Sequence, residues 1–387
     1  MKNYLSYVIL FVMKKPFREH HLIQLLDAYD QQKLPLDLFI NLYFRSHKAL
    51  GSKDRGYIAE TTYFLIRWQG LIDHLISPSR SWQERVNLLS NFNWKDYQNH
   101  PDLPAHIKLS CPENLYNLLV QSYGPERTRE LCLANNSAAP TTIRVNSLKT
   151  ERDQLLEQWR NLYEVIPCHY APTGITFLKK INFYTLPEFK DGLFEVQDEG
   201  SQLLADLIQC SPGQLVLDFC AGAGGKTLAF APSMQNKGQI FLHDVRIHAL
   251  QDAKKRLRRA GIQNAQIFLA QDPKQKQLKK KMDWVLVDAP CSGTGTLRRN
   301  PDMKWKFNLE MVQRLSGQQR TIFEKALSFM KPEGRIVYST CSVLPQENEE
   351  QMHHFMKTYN LKIEGSIFQS FPSEGGMDGF FGVVLKF

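Results

Sequence analysis

The sequence predicts an α/β fold: a doubly wound, Rossmann-like domain at residues 192–387, preceded by a small α/β domain at 106–191 and a helical domain at 1–105. Three observations carry this prediction. Five short, continuous apolar runs (QLVLDF, QIFLHD, AQIFLAQD, DWVLVDAP and GRIVYST) alternate with helical segments, as strands do in a parallel sheet covered on both faces. A glycine-rich turn, DFCAGAGGKT, comes after the first run, where such folds hold a ligand. Residues 17–93 instead place apolar side chains three and four apart, the period of amphipathic helices.

Taken in order, HLIQLLDAY, LPLDLFINLYF and YIAETTYFLIRWQGLIDHLI read as helices, with ALGSKDRG as a turn between them. The stretch NWKDYQNHPDLPAHIKLSCPENL carries three prolines and few apolar residues, and reads as a domain linker. The second unit mixes helical pattern (NLYNLLVQSYGPERTRELCL, ERDQLLEQWRNLY) with strand-like pieces (TTIRVN, GITFL). Ahead of all these lies Tyr4–Met13, an apolar run flanked by lysines, too short to span a bilayer and with no small-residue cleavage site behind it. We read it as a helix start on the N-terminal domain, with Met13 as an alternative initiator. No other segment reads as transmembrane.

The 387 residues, 43% hydrophobic, suffice for two or three domains. Seven widely spread cysteines with no C-x-x-C pair argue for reduced thiols in the cytoplasm and against zinc. The net charge of +9 is local: between Asp244 and Lys281, eleven Lys/Arg face three Asp. Such a patch is the footprint of a polyanionic partner, or else a solvated helix face with a lysine-rich loop behind it.

In a doubly wound sheet the ligand lies across the carboxyl ends of the strands, so the residues after each run are informative. Gly222, Gly224 and Gly225 lack side chains where the backbone turns sharply beside a ligand. Cys220 stands where a Walker A loop needs glycine, and Thr227 where a dinucleotide fingerprint does. Asp244, 22 residues beyond Gly222, sits near the spacing at which a carboxylate binds ribose hydroxyls. Asp272 and Asp288 come after the third and fourth runs. Three acids at successive strand ends repel one another, which favours a ribose-bearing, positively charged cofactor; S-adenosylmethionine, a sulfonium without phosphates, fits.

Cys291 and Cys341 come after the fourth and fifth runs, expected neighbours, and so open onto one crevice. Methylation of a pyrimidine at C5 explains two thiols: a thiolate must add to C6 before C5 can attack a methyl group, and a base must then take the C5 proton. A free thiol near pKa about 8.5 is mostly protonated at neutral pH, so the nucleophile's site must lower that value. Asp288 is placed to read the N3 and amino edge of a displaced base. Spacing alone leaves open which cysteine attacks.

The segments LDFCAGAGGKTL, DAPCSGTGTLRRNPDMKW and YSTCSVLPQENEEQ resemble the Sun/Nop family of RNA cytosine-C5 methyltransferases, closest to its bacterial 16S ribosomal-RNA (RsmB-like) branch. FEVQDEGSQLLADLI, TTIRVNSLKTERDQLL and MDGFFGVVLKF extend the likeness, and GSKDRGYIAETTYFLIRW is similar to the helical, NusB-like domain of that branch. The resemblance implies that Cys341 is the nucleophile and that Cys291 assists product release. It implies that Cys220, Ala221, Gly222, Ala223, Gly224, Gly225 and Lys226, with Asp244, Asp272 and Asp288, bind S-adenosylmethionine. Ala223 stands where many relatives have proline, a change expected to alter loop stiffness rather than chemistry. The expected partner is RNA, ribosomal or transfer, with no membrane, no metal and a monomeric chain; a non-catalytic ribosome-assembly factor is the competing reading.

Overall fold

The computed structural model describes residues 17–78, 80–269 and 274–387. The Tyr4–Met13 run and Asp272 lie outside these residues. The chain divides into two compact units, the first comprising the described residues up to Cys111 together with Asn300–Asp302.

The first unit is helical: α1 (Phe17–Asp30), α2 (Leu36–Ser46), α3 (Ser52–Leu75), α4 (Trp82–Leu88) and α5 (Ala105–Lys108). Its core is the apolar stripe read from the sequence, with Leu22, Leu25, Leu26, Ile58 and Leu65 buried completely. The ALGSKDRG segment is a turn only as far as Gly51, since α3 starts at Ser52 and absorbs Gly56. The expected linker is likewise ordered structure. It holds a 3-10 turn at Trp94–Tyr97 and then α5, with Trp94 stacked on Trp68 at 4.8 Å and Leu103, Leu109 and Cys111 buried. Two of its three prolines, Pro104 and Pro112, cap the starts of helices instead of interrupting them, a position that needs no backbone N–H.

The second unit opens with α6 (Glu113–Asn135), broken where Gly124 takes φ 76° ahead of Pro125. Strands β1 (Thr141–Val145), β2 (Val165–Pro167), β3 (Gly174–Phe177) and β4 (Phe194–Val196) form an antiparallel sheet in the order β2-β3-β1-β4, packed with α7 (Arg152–Trp159) and α8 (Pro187–Lys190). β4 lies beyond the boundary expected at 191, because Phe194 pairs with Val145 and buries its ring in this smaller core. The TTIRVN segment also ties the small sheet to the C-terminal part of the chain. Buried Asn146 donates to the carbonyls of Gly192 and Ala260, and buried Arg144 to that of Leu228.

The remainder runs α9 (Glu199–Ala205), β5 (Leu215–Asp218), α10 (Gly225–Phe230), β6 (Gln239–Leu242), α11 (Ile247–Ala260), β7 (Ala265–Ile267), α12 (Lys274–Leu278), β8 (Met282–Asp288), α13 (Asp302–Trp305), α14 (Leu309–Leu327), β9 (Met330–Thr340), α15 (Glu349–Tyr359), β10 (Lys362–Ile363), β11 (Phe368–Ser370) and β12 (Phe380–Lys386). All five apolar runs are strands. The sheet order is β10-β12-β9-β8-β5-β6-β7, with β11 on β12. The pairs from β9 to β7 are parallel and β12 is antiparallel to β9, so the carboxyl ends of β5, β6, β8 and β9 share one edge. Cores on both faces of the sheet explain why these strands read as unbroken apolar runs.

Candidate active site

The register of β8 against β9 sets Asp288 opposite Ser339, so the loops at the ends of these two strands leave the sheet side by side. Cys291 and Cys341 meet there, their sulfurs 3.3 Å apart and both partly exposed. The contact is not symmetric. The hydrogen bond from Cys291 holds the Cys341 thiol below its ordinary value, against burial and the charge of Asp288 and with help from Lys226. The bond to Cys341, and then burial, push Cys291 well above the ordinary range. Cys111, Cys132, Cys168 and Cys210 are buried, the ordinary state of a free cysteine.

Beneath the thiols the two loops are stitched by hydroxyls. Thr294 Oγ1 lies 3.0 Å from Ser342 Oγ and accepts from the Val343 amide at 3.1 Å, while Ser292 Oγ lies 3.2 Å from Thr294 Oγ1. The Gly295 amide donates to the Cys341 carbonyl at 3.0 Å. At Gly295 an added Cβ would come within 2.1 Å of the Gly379 carbonyl, which is why this position is glycine. One carboxylate missed in the sequence, Glu347, is completely buried and accepts from Ser292.

Across the crevice, Gly222 and Gly224 take φ 52° and 76°, the left-handed conformation that favours glycine, whereas Gly225 begins α10. Asp244 accepts from the Gly222 amide at 2.8 Å, from the Arg246 amide at 2.9 Å and from the Arg246 guanidinium at 3.0 Å. Burial opposes ionisation of Asp244, but these bonds outweigh it and hold its carboxyl below the usual range. Lys226 leaves the glycine loop, where the sequence grouped it, and reaches Asp288 at 2.5 Å, with Ser339 Oγ donating to the same carboxylate at 3.2 Å. The expected crowd of unpaired acids is therefore partly neutralised, because a long side chain from the first turn of α10 spans the gap.

A further acid was hidden in an apolar run. Asp218, the last residue of β5, is buried, accepts from Thr227 Oγ1 at 2.6 Å through one oxygen, and has no partner for the other among the described residues. Burial pushes its carboxyl up to about 7, against the bond from Thr227. Cys220 and Ala221 carry the chain from β5 into the turn, and burial raises the Cys220 thiol.

This crevice suits S-adenosylmethionine. An orphaned carboxylate oxygen, two further strand-end carboxylates and a turn without side chains favour a cation with a ribose, and no phosphate-binding loop is present among the described residues. Among those residues no group of His, Cys, Asp and Glu could hold a metal, and no helix is long and apolar enough to cross a membrane.

The basic window is less concentrated than its composition suggests. Arg246 and Lys255 pair with Asp244 and Asp252, and Arg256 and Arg259 both pair with buried Glu195. Lys254, Lys276 and Lys279 to Lys281 are among the side chains left at the surface.

Residues 205–386 match the family described as 16S rRNA methyltransferase RsmB/F, and residues 111–184 match its ferredoxin-like domain. The ribosomal RNA small subunit methyltransferase B of Vibrio vulnificus is 34% identical over 328 residues, 82% of this chain and 74% of that protein. The protein of the same name from Pasteurella multocida is 34% identical over 379 residues, 91% of this chain and 79% of that one. Among solved structures, a methyltransferase homologue from Pyrococcus horikoshii superposes with TM-score 0.65 at 25% identity, covering 73% of this chain and 97% of that chain. NSun6 from the same organism, solved with SFG, shares the fold at TM-score 0.65 and 20% identity, covering 71% and 98%. With its fold and these relatives, the chain belongs to the RsmB/F family of 16S rRNA methyltransferases.

Proposed function

We propose that the protein methylates C5 of a cytosine in ribosomal RNA through a covalent bond between Cys341 and C6 of the base. The observation that carries this reading is the pair of thiols 3.3 Å apart on the loops that follow β8 and β9. The turn from Cys220 to Lys226, with Asp218 and Asp244, would hold S-adenosylmethionine, which would supply the methyl group as an electrophile. Asp272, at the end of the third run, belongs to the same proposed set.

The rest is work for the chain's own groups. The Asp288 carboxylate, oriented by Lys226 and Ser339, accepts from the amino edge of an extruded cytosine. The Cys341 thiolate adds to C6, and the electron pair displaced in the ring makes C5 nucleophilic. Bonding to carbon removes the Cys341 charge and its hydrogen bond, the two influences of Cys341 that held Cys291 protonated. Cys291 then yields its proton to solvent and, as thiolate, takes the C5 proton once the methyl group is in place. The C5 electrons re-form the ring double bond, the C6–S bond breaks, and Cys341 leaves as thiolate beside a Cys291 thiol, the starting state. One methyl group enters and one proton leaves.

RNA would be gripped by the exposed basic side chains around α11 and α12, and by a cavity of about 1050 Å3 beside the small sheet, lined by His169, Tyr170, Lys179, Lys180 and Phe371. Such enzymes need an unpaired or extruded base. The test uses Cys291→Ser and Cys341→Ser with S-adenosylmethionine and RNA lacking the modification, resolved on a denaturing gel. Cys291→Ser should accumulate a protein–RNA adduct, and Cys341→Ser should give neither adduct nor methylation. The reversed pattern would make Cys291 the nucleophile, and no methylation by the wild type would favour an assembly factor.

A further inference from the structure

The carboxylate beneath the thiols belongs to the YSTCSVLPQENEEQ segment. Glu347 ends the 3-10 turn Pro345–Glu347 and is completely buried. It forms no ion pair among the described residues. Instead it accepts from the Ser292 amide at 2.9 Å and, through the same oxygen, from Gln319 Nε2 at 3.1 Å; its second oxygen accepts from Ser292 Oγ at 2.5 Å. Gln319, on α14 and also completely buried, donates from the same nitrogen to the Pro290 carbonyl at 3.0 Å, while its amide oxygen has no partner among the described residues. Reversing that amide would point an oxygen at two acceptors, so its orientation is fixed.

The residues on either side of Cys291 are thus anchored to one buried pair: Pro290 by Gln319, Ser292 by Glu347, and the two anchors to each other. Nothing equivalent is needed for packing alone. A buried carboxylate and amide replaced by apolar groups of similar shape are often no less stable, so groups fixed this way serve the loop they hold. Glu347 also lies shortly after Cys341 in the chain, so one side chain links the turn after one cysteine to the backbone of the other.

We propose that Gln319 and Glu347 are positioning residues that bracket Cys291 and set its thiol for the release step of the methylation. The proposal rests on the reading of Cys291 as the base. Neither side chain touches substrate, so Cys341 still adds to the base when the bracket is broken, and resolution of the adduct is what suffers. Glu347 also acts electrostatically to raise both thiols, which Gln319 does not.

The experiment compares Glu347→Gln, Gln319→Met and Ser292→Ala with wild type and Cys291→Ser, in single-turnover and steady-state methylation from about pH 6 to 9 with thermal melting as a fold control. Each bracket variant should lower kcat about tenfold or more with the KM for RNA within about twofold, and should accumulate adduct to a level between wild type and Cys291→Ser. Glu347→Gln should in addition move the pH–rate profile to lower pH, and Gln319→Met should leave its position unchanged. Adduct and methylation falling in proportion, or kcat unchanged in folded Gln319→Met and Ser292→Ala, would overturn the bracket. If Glu347→Gln does not fold, those two variants carry the decision. Failure of Cys291→Ser to trap adduct would instead remove the assignment of the base on which the bracket depends.

Discussion

The two halves of the crevice are built in opposite ways. On the side of β5 and β6, a buried carboxylate oxygen of Asp218 has no partner among the described residues, and Asp244 is covered by an Arg246 side chain that is 59% exposed. On the side of β8 and β9, Ser292, Thr294, Ser342, Glu347 and Gln319 are all buried and bonded to one another or to the loops that carry the thiols. The first half keeps polar capacity in reserve and guards it with a side chain that can swing away. The second leaves little to rearrange. A region that takes in and discards a molecule each cycle needs spare bonding capacity, whereas one that makes and breaks a bond to carbon needs fixed distances.

Asp218 offers the largest test. Its carboxyl is raised to about 7 in the folded chain from 3.8, so its contribution to stability is fully present below pH 3.8, falls as pH rises towards 7, and is flat above. Asp218→Asn lacks this loss, and urea titrations should show its stability relative to wild type growing by up to ~4 kcal/mol between about pH 4 and pH 8, at ~1.4 kcal/mol per unit. A pH-independent difference would mean that the oxygen without a partner carries no such strain. Next, Lys226→Met leaves Asp288 unpaired beside Cys341; methylation should fall about a hundredfold, or ~2.7 kcal/mol, with its pH profile moved upward, as read in single-turnover rates.

Thr294→Val then probes the locked half directly. It removes a hydroxyl bonded to Ser342 and to the Val343 amide and should cost roughly 1–3 kcal/mol in urea unfolding. A smaller cost would show the hydroxyl lattice to be slack. The smallest effect is expected for Arg246→Ala, which uncovers Asp244: calorimetric affinity for S-adenosylmethionine should change by less than about threefold, ~0.6 kcal/mol. A larger loss would place Arg246 among the groups that hold the cofactor.

The same contrast governs what could be read in the sequence. Strands covered on both faces announce themselves as apolar runs, and residues just after them, such as Asp244, Asp288, Cys291 and Cys341, were legible because chain order fixes their place at the sheet edge. Asp218 was not, since a carboxylate ending the run LVLD looks like the boundary of a strand rather than part of a site. Gln319 and Glu347 escaped because a polar residue within a helix or turn usually faces water, and only the meeting of α14 with the turn after β9 buries them. The Lys226–Asp288 and Arg256–Glu195 pairs were equally invisible, being contacts between segments far apart in the chain. Composition alone therefore overstates the free charge of the basic window, and the proline-rich stretch before α6 reads as a linker because proline starts helices as readily as it ends them.

The pairing of Asp288 with Ser339 has a consequence for how the site is assembled. Fifty residues separate the two sulfurs along the chain, and the entropy of closing such a loop grows only logarithmically with its length, so bringing them together is thermodynamically modest. Register is the stricter demand. Because side chains alternate faces along a strand, a slip of one residue between β8 and β9 would exchange the side chains a strand presents to the two cores and carry the two thiol loops out of step. The nearness of the thiols thus reports a correctly threaded sheet, and a crosslinker spanning a few ångströms would distinguish native chains from misregistered ones before any methyl group is counted.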